Sequence, residues 1–233
     1  MPKQRVLSKI LKLFTGRTYE SVSLSTIWYA LQKGGVNYSR GFFWAIIRFR
    51  RPRGLMLGHG IKMISSSKLA YGKGVSLGMG CYMDCSAISG VQIGNRVTIR
   101  EYGWLQCRSG LNQAAKSVTI GDDVYIGPFS VLGAGGDLTI SENCQIGARL
   151  TISAESHSAS NSGSYVEGTT TRSGVSIGRN CWIGNNVCII DGVHIGDNCV
   201  IGAGSVVTRN IPSNNLAFGS PARIKRATNM PAP

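Results

Sequence analysis

VSIGRNCWIGNNVCIIDGVHIGDNCVIGAGSVV, residues 175–207, repeats itself every six residues. Ile177, Ile183, Ile189, Ile195, Ile201 and Val207 follow one another at that interval, and two places before each stands Val175, Cys181, Val187, Val193, Cys199 or Ser205. Side chains two apart on a strand share a face, so both series point into one interior. Six residues are too few for a strand plus a helix. They suit one short side and corner of a triangular coil of about 18 residues, whose strands stack about 4.8 Å from those of the next coil. The pattern predicts an all-β chain, a parallel β-helix built as a hexapeptide-repeat solenoid.

The same phase extends toward the N-terminus. It runs through Ile120, Ile126 and Leu132, and, after a slip of two residues, through Ile140, Ile146 and Ile152. Ile93, Ile99 and Leu105 form another set, and the region from Val75 to Ala87 is less regular. Two segments fit no hexad, one around Ser109 to Ser117 and a longer one over 153–174. An insertion in a stacked solenoid has to leave it as a loop, and loops on rigid scaffolds carry chemistry. The second insertion contains SAESHSAS, Ser153 to Ser160, and with it His157, one of three histidines in the chain.

The run from Trp182 to Arg226, WIGNNVCIIDGVHIGDNCVIGAGSVVTRNIPSNNLAFGSPARIKR, resembles the C-terminal coils of hexapeptide-repeat acyltransferases of the galactoside, maltose and polysaccharide O-acetyltransferase group. The resemblance extends over roughly residues 75–226. It implies a left-handed helix, a homotrimer with active sites between subunits, and acetyl-CoA as acyl donor. Handedness comes from the resemblance alone, because crossovers between parallel strands are otherwise nearly always right-handed. In that group a loop histidine a little over twenty residues before the WIG tripeptide is the general base on the acceptor hydroxyl, and His157 stands 25 residues before Trp182. An imidazole, with an ordinary pKa of about 6.5, suits that work. A solvated loop histidine is the bland alternative.

Glu155, two residues away, would share a side with His157 on an extended segment and is a candidate to orient its ring; a solvated carboxylate is the alternative. The group's CoA contacts carry over to Trp182, Asn185, Ala203, Thr208, Arg209, Arg223 and Arg226. Small residues admit the pantetheine amide and guanidinium groups suit its phosphates. Plain packing is the other reading of Trp182, and capping of the last coil that of Arg209. The galactoside enzymes tend to carry Lys where Arg209 stands, which keeps the charge and changes its geometry.

The composition fits this frame. The chain has 233 residues, 31 of them Gly, with only 15% charged, as a chain of turns and short strands requires. Its net charge of +14 is concentrated at the N-terminus, since residues 1–60 hold 11 Lys and Arg against the single Glu20. Val6, Leu7, Ile10, Leu11 and Phe14 predict a short basic amphipathic helix, and SLSTIWYALQKGG a second one ending at Gly34 and Gly35. GFFWAIIRFRRPR then adds aromatics and four arginines, read as a cap on the first coil or as a surface for anionic lipid. The expected division is a basic helical segment over 1–54, the β-helix over 55–211 with its loop at 153–174, and a C-terminal tail over 212–233.

Seven cysteines with no CxxC pair, and no evident signal peptide, point to the cytoplasm, with peripheral contact to the inner face of the membrane through residues 1–53. No zinc-finger spacing or RNA-binding aromatic signature points to nucleic acid. Gly74 to Gly78 and Gly174 to Gly178 match G-x-S-x-G but read as solenoid corners. His59 and His194 lack metal-ligand spacing with His157, so no metal is expected. Cys144, Cys181 and Cys199 occupy the small inward position and read as buried thiols. The expected function is acetyl-CoA-dependent O-acetylation of a sugar hydroxyl on a surface polysaccharide or lipid-linked glycan. N-acylation of an amino sugar and a non-catalytic binding or assembly solenoid are the alternatives.

Overall fold

Short strands laid on one another in three parallel ladders make up most of the chain, and among the described residues one long helix precedes them. The structure, a computed structural model, describes residue 8 and residues 23–110 and 113–227. Within each coil the chain visits sheets one, two and three in turn, as in Tyr125–Ile126, Val131–Gly133 and Leu138–Ile140, before Gln145–Ile146 opens the next coil. The fold is a left-handed β-helix.

Register explains why the hexads are so strict. Ile126 stacks on Ile146, then Ile183, then Ile201 in sheet one. Leu132, Ile152, Ile189 and Val207 do so in sheet two, and Ile120, Ile140, Ile177 and Ile195 in sheet three. Like lies on like, every one of these side chains is buried, and each contributes on the order of 1.5–3 kcal/mol. The small positions are buried as expected, from Val175 to Ser205. Cysteine has a specific use there: Cys144, Cys181 and Cys199 each donate Sγ–H to a corner carbonyl of the following coil, at Gly178, Gly196 and Pro212, over 3.1–3.2 Å. All seven thiols are free.

The corners are equally constrained. A Cβ on Gly178 would lie 2.4 Å from Asp197 Oδ1 and 2.6 Å from the Gly196 carbonyl carbon, so only glycine fits. A polar ladder closes the same corner, where Asn95 Oδ1 accepts from Lys73 N and Asp122 Oδ1 from Asn95 N, each at 2.8 Å. The hydrogen bonds from Asn95 hold the Asp122 carboxyl below its ordinary pKa, and Arg179 does the same for Asp197. The irregular-looking stretch from Val75 to Ala87 proves to supply two coil sides, Ser76–Leu77 in sheet one and Tyr82–Asp84 in sheet two, with Val75, Leu77, Cys81, Met83 and Ala87 all buried.

Helix α1, Leu24–Ile47, begins at Ser23, whose Oγ accepts from Thr26 N at 3.1 Å. It does not stop at Gly34 and Gly35, as the sequence reading expects, but absorbs both and the GFFWAII stretch as well. Tertiary packing overrides the cost of about 1 kcal/mol per glycine, because this side of the helix has to approach the first coil closely. A Cβ on Gly41 would sit 1.9 Å from the Leu55 carbonyl oxygen, and Ala45 is fully buried. Arginines close the open edge of sheet three: Arg50 donates to the Leu69 and Ser67 carbonyls and Arg53 to that of Tyr71. Of the helix expected from Val6 to Phe14, only Ser8 is among the described residues. At the other end, Asn215–Gly219 adds a parallel strand beside Val200–Ile201, and Ala222–Ala227 returns antiparallel to it.

Candidate functional site

His157 sits on a hairpin. Ser156–Ser158 pairs antiparallel with Thr169–Thr171, in register Ser156 to Thr171, His157 to Thr170 and Ser158 to Thr169. The hairpin leaves the stack between Thr151–Ser153 of sheet two and Val175–Ile177 of sheet three, so a rigid corner carries it. The His157 side chain is exposed and its Nδ1 lies 3.3 Å from Thr170 Oγ1. When Nδ1–H donates to that hydroxyl oxygen, Nε2 is left as the free basic nitrogen facing solvent.

Glu155 does not orient the ring. Its carboxylate turns to Arg172, with Arg172 Nε 3.6 Å from Glu155 Oε2 in an ion pair whose two atoms are both buried and have no hydrogen-bond partner. The pair stands at the root of the hairpin and lies over Gly135, where a Cβ would come within 2.4 Å of Glu155 Oε2. Arg172 also reaches sideways, donating from Nη2 to Gln113 Oε1 at 2.6 Å and Ser109 Oγ at 3.2 Å. Those acceptors belong to the other segment that fits no hexad, a second hairpin of Arg108–Gly110 and Gln113–Ala114 that leaves the stack at the same corner, two coils earlier. Asp191 pins the return strand, accepting from the backbone N–H groups of Ser173 and Gly174 at 3.2 and 2.9 Å.

Thr170, Arg172 and Asp191 escape the sequence reading. The one local signal was the β-branched run Thr169 to Thr171, which reads as a strand needing a partner.

The donor candidates fall elsewhere. Trp182 lies on sheet one between Gln145 and Val200 and is 60% exposed, so packing does not account for it. Asn185 follows at the corner between sheets one and two, where its Oδ1 accepts from Ala148 N at 2.8 Å. That turn-holding bond accounts for the asparagine without any ligand. Ala203 stacks one coil beyond, with its backbone N 2.5 Å from where a Cβ on Gly184 would be. The structure thus brings Trp182, Asn185 and Ala203 together on adjacent coils. Arg223 is exposed on the final strand at the edge of sheet one, where Arg226 pairs with Leu216. Thr208 and exposed Arg209 follow Val206–Val207, at the corner from which the hairpins emerge. In a triangular coil the side opposite that corner is sheet one, so a single chain does not bring His157 and Trp182 together.

Cys85 and Cys107 are not nucleophiles in waiting. Burial, followed by the charge of Asp84, pushes Cys85 and Cys107 up to about 12. Ser76 and Ser176 of the two G-x-S-x-G matches lie in regular parallel strands, and Ser176 Oγ is 2.7 Å from His194 Nδ1. Among the described residues no cluster of three or more His, Cys, Asp or Glu side chains is disposed to hold a metal ion.

Residues 174–209 match the family model described as the hexapeptide repeat of succinyl-transferase. These residues carry that hexapeptide repeat. This hexapeptide-repeat chain is 36% identical over 118 residues to the galactoside O-acetyltransferase of Lactococcus lactis, a match covering 51% of this chain and 56% of that one. It is 37% identical over 92 residues to the Escherichia coli K12 galactoside O-acetyltransferase, covering 40% and 45%. The chain thus spans about half the length of the curated relatives it matches. Two solved structures share the fold. An N-acyltransferase, AntD from Bacillus cereus in complex with dTDP and coenzyme A, aligns at a TM-score of 0.52 and 19% identity over 74% of this chain and 86% of that one. The polySia-specific acetyltransferase NeuO aligns at 0.50 and 21%, over 76% and 86%.

Proposed function

We propose that the protein is an acetyl-CoA-dependent O-acetyltransferase acting on a sugar hydroxyl of a surface polysaccharide or lipid-linked glycan. The observation that carries this reading is the exposed His157, held by Thr170 on a hairpin that leaves the rigid solenoid. Nε2 takes the proton of the acceptor hydroxyl as its oxygen attacks the thioester carbonyl. The carbon–sulfur bond of the tetrahedral intermediate then breaks, and the imidazolium returns the proton to the departing CoA sulfur. Direct transfer needs no acyl-enzyme, because holding both reactants side by side supplies much of the rate.

In this reading Trp182, Asn185, Ala203, Thr208, Arg209, Arg223 and Arg226 bind the donor. The placement of His157 and Trp182 on opposite parts of the coil supports a site assembled between neighbouring copies, and hence a homotrimer. The chain then divides into a basic helical N-terminal segment over 1–54, the solenoid over 55–211 and a C-terminal tail over 212–233. The free thiols and the donor together favour the cytoplasm.

Incubation of the purified protein with acetyl-CoA and a panel of glycans tests the proposal. One acetyl mass gain per acceptor, removed by mild alkali, is the expected result. An alkali-stable product would mean N-transfer, and no gain on any glycan while acetyl-CoA stays intact would refute the reading.

A further inference from the structure

Helix α1 is apolar on two sides, and only one of them is used. Gly41 and Ala45 face the first coil and are buried there. At 100° per residue, Trp28, Val36, Phe43, Ile46 and Ile47 fall on the opposite side within an arc of about 100°. Their exposure, with that of Phe49 just beyond the helix, runs from 50% at Ile46 to 100% at Phe49. Of the aromatics here, among the described residues, only Trp44 packs against the core, and Phe43 and Trp28 stand outside although Arg50 and Arg53 bond the sheet edge.

Charge surrounds this apolar arc. Between Glu20 and Asp84 the sequence contains no acidic residue and nine basic ones, from Lys33 to Lys73. Arg48, Arg50, Arg51 and Arg53 follow the helix directly, and none of them is in an ion pair among the described residues. Arg50, Arg51 and Arg53, with Leu69, Ala70 and Tyr71, line a cavity of about 290 Å³ open to solvent. It has cationic walls and the size for a phosphate-bearing group.

We propose that the exposed face of α1 and this arginine cavity together dock the protein onto an anionic phospholipid membrane. The apolar arc enters the headgroup boundary, and the guanidinium groups take lipid phosphates. Charge decides the occupant. A second copy placed on this face would bring two such basic clusters together, whereas an anionic surface neutralises them. No helix among the described residues is long and apolar enough to cross a bilayer, so α1 lies on the surface. The proposal does not depend on the acyl-transfer reading.

Flotation of the full chain with vesicles tests it. The protein should float with phosphatidylcholine vesicles containing phosphatidylglycerol at low salt, and remain behind with phosphatidylcholine alone. F43E/I47E should reduce flotation about tenfold or more, while melting and oligomer size stay as in wild type, because both side chains are exposed. Four results would overturn the proposal: no flotation with anionic vesicles, equal flotation with neutral ones, undiminished flotation of F43E/I47E, or a smaller oligomer or lower melting point in that variant. The last would show that protein already covers this face.

Discussion

Replacing Arg172 by alanine should loosen the His157 hairpin without unfolding the solenoid beneath it. Arg172 donates to Gln113 and Ser109 on the neighbouring hairpin and faces the Glu155 carboxylate. Hydrogen bonds from a charged group are worth about 1.5–3 kcal/mol each, and a buried carboxylate left without its counter-charge adds to the loss. The two side chains retain 25% and 22% of their exposure, so solvent screens part of this and about 2 kcal/mol is the net expectation. At 1.4 kcal/mol per factor of ten, amides of residues 156–158 and 169–171 should exchange with deuterium roughly 30-fold faster in R172A. Amides within Ile183, Ile189 and the other stacked strands should be unaffected. Adding E155Q removes the stranded charge and should restore about half of the lost protection, since the two residues are directly coupled. R172K, which keeps the charge but not the fork that reaches two acceptors, should fall between. Unchanged exchange in R172A, or a double variant worse than the single one, would refute the role given to this pair.

Two other predictions concern the donor and the corners. R223A and R226A should weaken CoA more than dephospho-CoA in calorimetric titration if these strand residues hold the ribose 3′-phosphate; equal weakening would move the contact to the pyrophosphate. Asp122 and Asp197 have folded-state pKa values below the ordinary 3.8, so their stabilisation is present above that value and is lost as pH falls through the lowered ones. Urea midpoints should therefore decline below about pH 4 less steeply for D122N than for wild type, and parallel declines would contradict the assignment.

The solenoid was legible because its determinants are local and periodic. Ile177 to Val207 announce their stacking through spacing alone, and each indeed lies on its counterpart one coil away. Between Val75 and Ala87 the same inward positions are filled by Met83 and Cys81, whose side chains fit the interior but blur the pattern. The end assigned to α1 at Gly34 and Gly35 failed for the opposite reason. Glycine punctuates a helix locally, but here the close approach of Gly41 to Leu55 holds the helix across them. At the site, spacing located His157 but not what holds it. Its ring partner Thr170 is 13 residues away, and the Gln113 that anchors Arg172 is 59 residues away. Such pairings arise only when the chain is wound into coils. Glu155 misled because proximity in sequence to His157 suggested a partnership that Arg172, across the hairpin, had already taken.

The central claim, that His157 is the base in a direct acetyl transfer, is tested most directly by the turnover of H157A with acetyl-CoA and the identified acceptor. Loss of a general base costs about 10²–10⁴ in rate. His157 is exposed and belongs to no part of the buried stack, so H157A should melt with wild type, keep its oligomeric size and bind CoA with unchanged affinity. Turnover falling by that factor with those three properties intact is the result the account predicts, and near-wild-type turnover in H157A would contradict it.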